Sequence, residues 1–416
     1  MIIRAMPIGT AVHARTLPLC ESLSFREWSG FYAVSSYESH HEPEYTAIRN
    51  AAALIDISPL FKYQVEGPDA AALVDRVITR DALAMAVGQV YYTPWCDERG
   101  KVIDDGTVTR VGERSFRWTA ADPSLRWIVE NRRGLDVTVR DVSEDVAALA
   151  VQGPTSAAVL AAACAAPSGA DVAALKYFRM THGTIAGVPV DISRTGYTGD
   201  LGYEIWMPWD RAVEVWDALI AAGRPYGIRP TGLLALDVAR VEAGLLLIDV
   251  DFHGCRKAVI ESQTYSPFEM GLDRLVRLEK PAFVGRDALV GEQRRGIRRR
   301  IVGLEIGWPA VEALYSDLGM APQMATATSR VAVPVYRSGR QVGRATSTTW
   351  SPLLKKLVAL ATIDRPHFAP GTALEFEVTV EAVRHRVPAR VVTTPFFNPP
   401  RKTAAPPLQV PRASRP

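Results

Sequence analysis

A strand, a Gly-Pro turn and a helix occur in that order twice, and this repeat most constrains what the chain can fold into. Phe61 to Glu66 alternates as a strand does, Gly67-Pro68-Asp69 interrupts it, and Leu73, Val74, Val77 and Ile78 then share one helix face. Ala147 to Gln152 again reads as a strand, Gly153-Pro154-Thr155-Ser156 as the turn, and an alanine-rich helix continues to about Ala163. Proline suits the first turn of a helix, where a missing N–H costs nothing. Two copies fit two related α+β lobes, whereas a solenoid stacks several more.

The segments around these units fill out the lobes. Ile48, Ala51, Ala52 and Ile55 fall on one apolar stripe, which predicts a first helix from about Glu44 to Leu54. Gln89 to Trp95 and Lys101 to Arg110 form a hairpin across Cys96-Asp97-Glu98-Arg99-Gly100. Residues 185–205 read as a second strand pair, and Asp210 is placed to cap a helix bearing Val213, Trp216 and Ile220. From about Arg299 the texture changes to short β-forming runs: Arg300 to Ile306, Val331 to Tyr336, Leu357 to Ile363, Leu374 to Val380 and Ala389 to Val392. Their spacing predicts a small all-β domain over 299–397. The preceding 1–290 forms one region of two α+β lobes, one of them centred on about 56–145. The proline-rich stretch 398–416 is expected to be an unstructured tail.

Charge and motif content remove several classes of function. Lys and Arg total 48 against 45 Asp and Glu, a net charge of +3 without long blocks of one sign, so no nucleic-acid partner is expected. No apolar run is long enough to span a bilayer, and the start lacks a secretory pattern. Four scattered cysteines, Cys20, Cys96, Cys164 and Cys255, fit a reducing compartment, so the expected location is cytoplasmic. There is no Gly-x-Gly-x-x-Gly after a strand and no phosphate-binding Gly-Lys-Ser/Thr, which removes the usual support for nicotinamide, flavin or nucleoside triphosphate chemistry. The nearest metal-like cluster, His253-Gly254-Cys255, lacks further ligands at useful spacing, and no metal site is expected.

Two segments remain as candidate sites. In Lys101 to Val108, two carboxylates, Asp104 and Asp105, interrupt a β-forming run that disfavours them. Alternation sends the two to opposite faces, so only one enters a given pocket, and spacing does not choose between them. In Arg194 to Glu204, Gly196, Gly199 and Gly202 permit tight turns, while Tyr197, Tyr203 and Glu204 supply two rings and a carboxylate. A buried carboxylate can accept two hydrogen bonds from an amidine-like N–H pair, such as a pterin or guanine edge.

The stretch Arg194-Thr195-Gly196-Tyr197-Thr198-Gly199-Asp200-Leu201-Gly202-Tyr203-Glu204-Ile205 resembles the signature of the glycine cleavage T-protein (aminomethyltransferase) family and its demethylating relatives. So do Ala53 to Ser58, Gly100 to Asp105, Arg240 to Gly244, Ser266 to Leu272, Phe283 to Arg286, and Gly339 to Ser347 with Trp350-Ser351-Pro352, in the family's order. The resemblance implies an α+β fold of three domains in a cloverleaf, with a C-terminal β-barrel, around an opening that holds tetrahydrofolate. It implies that Asp105 faces the folate and the transferred carbon. It also implies that Glu204 holds the pterin edge, that Tyr197 and Tyr92 lie at the ring, and that Thr119, Leu60 and Arg240 belong to the cofactor-binding set.

The chain departs from the family's pattern at three places. Pro59-Leu60-Phe61 replaces His-Met-Gly, Leu236 stands where an arginine is found, and Thr119 replaces an asparagine. Losing a cation beside a folate site is not a conservative change. The expectation is a tetrahydrofolate-dependent one-carbon transferase whose partner is either a small-molecule methyl donor or a lipoyl carrier protein. A folate-binding protein without turnover is the third reading.

Overall fold

The computed structural model describes residues 6–164, 172 and 174–406. The chain divides into two compact units, one of residues 1–93, 104–236 and 398–416, the other of 94–103 and 237–397. The second unit includes residues 237–290 together with the barrel strands.

The first unit is built on two larger sheets. The six-stranded sheet has the order Met180–Ile185, Val188–Ser193, Gly202–Pro208, Val146–Gln152, Ala52–Asp56, Ile228–Pro230. The five-stranded sheet has the order Val90–Cys96, Val102–Gly112, Ser115–Ala120, Phe61–Glu66, Thr138–Asp141. Both strand–Gly-Pro–helix units form, with helices Ala70–Val77 and Ser156–Ala163 following the turns, but Pro68 and Pro154 lie just before the N-caps Asp69 and Thr155 rather than in the first helical turn.

Alternation gives each sheet two unlike faces. In the six-stranded sheet Leu149, Val151, Ile192, Tyr203 and Ile205 are buried in one apolar cluster with Val215, Trp216 and Leu219 of helix Ala212–Gly223. The intervening Asp191, Ser193, Glu204 and Trp206 turn to the other face, with Ser193 opposite Glu204 and Asp191 opposite Trp206. In the five-stranded sheet Tyr63, Val65, Val108, Phe116 and Trp118 are buried, while Thr107, Thr109, Arg117 and Thr119 pair on the opposite face.

The first predicted helix is shorter than expected. It covers Glu42–Asn50, and Ala52–Asp56 is instead a central strand, pairing antiparallel with Val146–Gln152 and parallel with Ile228–Pro230. Ala52, Ala53, Leu54 and Ile55 are at most 1% exposed, so this run is buried on both faces, and a short apolar run of that kind carries no period by which to tell strand from helix. Asp210 lies in a 3₁₀ turn, Trp209–Arg211, and helix Ala212–Gly223 starts without a side-chain cap. Buried Glu44 accepts from the backbone N–H groups of Tyr37 (2.7 Å) and Gly232 (2.6 Å), which fixes the approach to helix Leu233–Glu242.

The expected tail begins as structure. Residues 400–402 form a 3₁₀ turn, and Arg401 donates to both carboxylate oxygens of Asp200 at 2.6 and 2.8 Å. Arg194, 2% exposed, donates to the carbonyls of Lys402 and Ala404. The remainder of that segment, 407–416, lies outside the described residues.

The second unit contains a closed six-stranded barrel of Arg299–Ile306, Lys356–Asp364, Arg340–Ser351, Val333–Arg337, Ala373–Val380 and Val383–Val392. Leu304, Val335, Ala345, Ala361, Phe376 and Val387 fill it. Its longest strand, Arg340–Ser351, is rich in Arg, Gln, Ser and Thr and offers only Val342, Ala345 and Trp350 as apolar residues.

Candidate functional site

Strand Val102–Gly112 sends its two carboxylates to opposite faces. Asp104 is fully buried on the face of Tyr63 and Trp118, and its two oxygens accept from the backbone N–H groups of Asp105 (2.8 Å) and Asp122 (2.9 Å). Burial raises the Asp104 pKa, and the neighbouring Asp105 charge adds to the rise. Asp104 is thus a structural group tied to the backbone. Asp105 is half-buried on the polar face, where Oδ2 accepts the phenolic hydrogen bond of Tyr92. Burial pushes Asp105 up to about 6, opposed by that hydrogen bond. A carboxylate poised there changes charge close to neutral pH, as a group that handles protons requires.

Glu204 stands on the polar face of the six-stranded sheet. Its Oε2 accepts from Thr195 Oγ1 at 2.8 Å, and among the described residues its other oxygen has no hydrogen-bond partner. Burial raises its pKa, while the Thr195 hydroxyl and the Arg117 charge lower it. The result is a half-buried carboxylate with acceptor capacity to spare.

The two polar faces meet through Arg117, whose Nη1 donates to Asp191 Oδ2 at 2.6 Å. Arg117 is 6% exposed, and its guanidinium lies 4.6 Å from the centre of the Trp206 ring. Beside it Lys62, the register partner of Thr119, is fully buried and donates to the Ser58 carbonyl at 2.5 Å. Burial pushes Lys62 down to about 7, against the opposing pull of Asp56 and Asp141.

The glycines of the 194–204 stretch have two different reasons. Gly199 takes φ +72°, which favours glycine. Gly196 and Gly202 are needed for space, because a Cβ on either would lie 2.0 and 2.2 Å from Gln152 Oε1. Gln152 in turn donates to the Thr195 and Tyr203 carbonyls and accepts from Thr198, holding the loop that carries Tyr197.

The other expected residues divide. Tyr92 and Tyr197 are both half-buried and lie close enough to interact electrostatically. Thr119 shares the Asp105 face, with its hydroxyl bonded to Thr107 across the strand pair. Leu60 is half-buried in the turn before strand Phe61–Glu66. Arg240 belongs to the second unit, where it donates to Asp237 (2.7 Å), Asp251 and Ser347 (2.7 Å) and is 1% exposed. Such a buried ion network serves as internal structure, a reading the helical Asp237–Arg240 spacing also allows. Arg117, Ser193 and Lys62 join the site without having been expected there, and Thr195 joins from within the expected 194–204 stretch. A charged residue at the centre of an apolar strand, as in Phe116-Arg117-Trp118 and Phe61-Lys62-Tyr63, is the available signal.

Residues 21–280 match the family described as GCVT N-terminal domain, and 318–398 match the glycine cleavage T-protein C-terminal barrel domain. A trimethylamine-oxide aldolase from Ruegeria pomeroyi is 36% identical over 400 residues, 94% of this chain. This chain spans about half of that relative's length, 47%. An aminomethyltransferase from Moorella thermoacetica is 35% identical over 380 residues, 90% of this chain and 94% of the relative. The crystal structure of glycine cleavage system aminomethyltransferase T from Bartonella henselae shares the fold, with a TM-score of 0.78, 23% identity and coverage of 94% of this chain and 98% of that one.

Proposed function

The chain belongs to the glycine cleavage T-protein family of aminomethyltransferase-like enzymes, and on that footing we propose that it transfers a one-carbon unit to tetrahydrofolate from a compact small-molecule donor. The observation that carries the folate reading is the pair of half-buried carboxylates, each held by one hydroxyl. Glu204 keeps a second oxygen for an N–H pair, and Asp105 accepts from Tyr92, which in turn interacts with Tyr197. These groups fit a pterin, which presents adjacent N–H donors at one edge and flat faces to aromatic side chains.

Tetrahydrofolate supplies the amine nitrogen that accepts the carbon. Glu204 would hold the ring through its edge, with Tyr92 and Tyr197 available to its faces. Asp105 would stabilise positive charge developing at the reacting nitrogen and take up the proton which that nitrogen gives up, a role suited to a pKa of about 6. Thr195 and Tyr92 orient the two carboxylates, and positioning of this kind supplies much of the rate in such sites.

Leu236 supports the small donor over a lipoyl arm. It is 9% exposed and apolar where the family's pattern carries an arginine. The 36% identity to a trimethylamine-oxide aldolase points the same way, toward a methylated amine or its oxidised form. The test supplies purified protein and tetrahydrofolate with aminomethylated lipoyl carrier protein or with a panel of small methylated compounds. Formation of a one-carbon folate only with a small donor is the expected result. Robust ammonia release from the carrier protein assigns the glycine-cleavage reaction instead, and folate binding without turnover assigns a binding protein.

A further inference from the structure

A directed hydrogen-bond chain ends at Glu204. Trp206 Nε1 donates to Ser193 Oγ at 3.3 Å, Ser193 Oγ lies 2.9 Å from Thr195 Oγ1, and Thr195 Oγ1 donates to Glu204 Oε2 at 2.8 Å. The Thr195 hydrogen points to the carboxylate, so across the 2.9 Å contact Ser193 is the donor; Ser193 Oγ also lies 3.4 Å from the Glu204 carbonyl, and with either acceptor the donors run toward Glu204. Donors aligned in this way polarise one another and favour a negative charge at the end of the chain.

Arg117 stands at the head of that chain. Its guanidinium lies over Trp206, bonded on one side to Asp191, the residue directly across the strand pair from Trp206. Its Nε and Nη2 are buried and make no hydrogen bond among the described residues. An arginine stays charged in a protein, so this is a fixed, poorly solvated positive charge whose field reaches the Glu204 carboxylate.

We propose that Arg117, with the Trp206–Ser193–Thr195 chain, is a positioning residue that holds Glu204 ionised and aimed for its ligand. This rests on the assignment of Glu204 to the folate edge. The guanidinium makes no direct ion pair with Glu204; it acts through its field and through the ring it clamps. Its charge lowers the Glu204 pKa against burial, in keeping with the geometry. The other charged groups around the pair are Asp191, which also bonds His182 Nδ1 at 2.7 Å, and Lys62 on the adjacent strand.

The test is the pH dependence of binding of air-stable 5-formyltetrahydrofolate, measured by calorimetry between pH 5.5 and 8.5. Arg117→Gln keeps an N–H for Asp191 and removes the charge. Its affinity relative to the parent's is expected to be at least tenfold lower at pH 6 than at pH 8.5, because the acid limb moves up. Arg117→Lys returns the limb toward the parent's position. Asp191→Asn frees the Arg117 field and moves the limb down, which keeps the idea testable if Arg117→Gln does not fold. An equal loss at every pH in Arg117→Gln, or an unmoved limb in Asp191→Asn, overturns the proposal while leaving folate binding intact. A parent protein that binds no folate overturns both this proposal and the functional reading beneath it.

Discussion

The Tyr92 hydroxyl donates to Asp105 Oδ2, joining strand Val90–Cys96 to its neighbour Val102–Gly112 at the one half-buried carboxylate of the Asp-Asp pair. Asp104, the adjacent residue, faces the other way and is bound to two backbone N–H groups. The two aspartates therefore answer to different measurements. Asp105→Asn keeps shape and removes charge, so kcat should fall by about a hundredfold or more while folate affinity changes little. Asp104→Asn weakens two buried backbone hydrogen bonds, so its effect should appear in unfolding midpoints. Steady-state kinetics and urea titration of both variants separate the roles.

Tyr92 also sets a pH dependence. Its hydrogen bond favours the ionised Asp105, which burial pushes up to about 6. If turnover needs the carboxylate, kcat/KM falls below about that pH. Removing the donor disfavours the charged form, so Tyr92→Phe should move the acid limb upward. A pH–rate profile with an unmoved limb separates Tyr92 from the ionisation of Asp105.

Lys62 makes a prediction about stability alone. Its folded pKa, about 7, lies below the value of roughly 10.4 for an unfolded lysine. Between those values the unfolded chain binds more protons, so the contribution of Lys62 makes stability rise with pH across that window. Below pH 7 the penalty for burying the charge is present in full. Lys62→Met should therefore flatten the rise between pH 7 and 9 measured by urea unfolding, and an unchanged slope would show that Lys62 titrates normally.

Much of this architecture is legible in the sequence because its strands obey period two. Phe61–Glu66 is a strand as its alternation predicts, and the same rule correctly separates Asp104 from Asp105. Alternation does not say which carboxylate faces the site; that depends on which face the helices cover. The strand Ala52–Asp56 reads as helix because burial on both faces removes the period. Arg340–Ser351 escapes notice as a β-forming run because, with Val342, Ala345 and Trp350 as its only apolar residues, a strand rich in Ser, Thr and Arg shows no clear hydrophobic alternation. The support around Glu204 is hidden for a different reason. Arg117 reaches Asp191 from 74 residues away, and Thr195 bonds a residue nine positions on, contacts that only tertiary structure brings about.

The central claim is that Glu204 holds the folate edge. Calorimetric titration of the parent and of Glu204→Gln with tetrahydrofolate tests it directly. Glutamine removes the charge and can turn a donor toward the N–H groups it should receive, so affinity should weaken by about 30- to 150-fold, roughly 2–3 kcal/mol. Equal affinity in parent and variant, or no binding to the parent at all, would contradict the account.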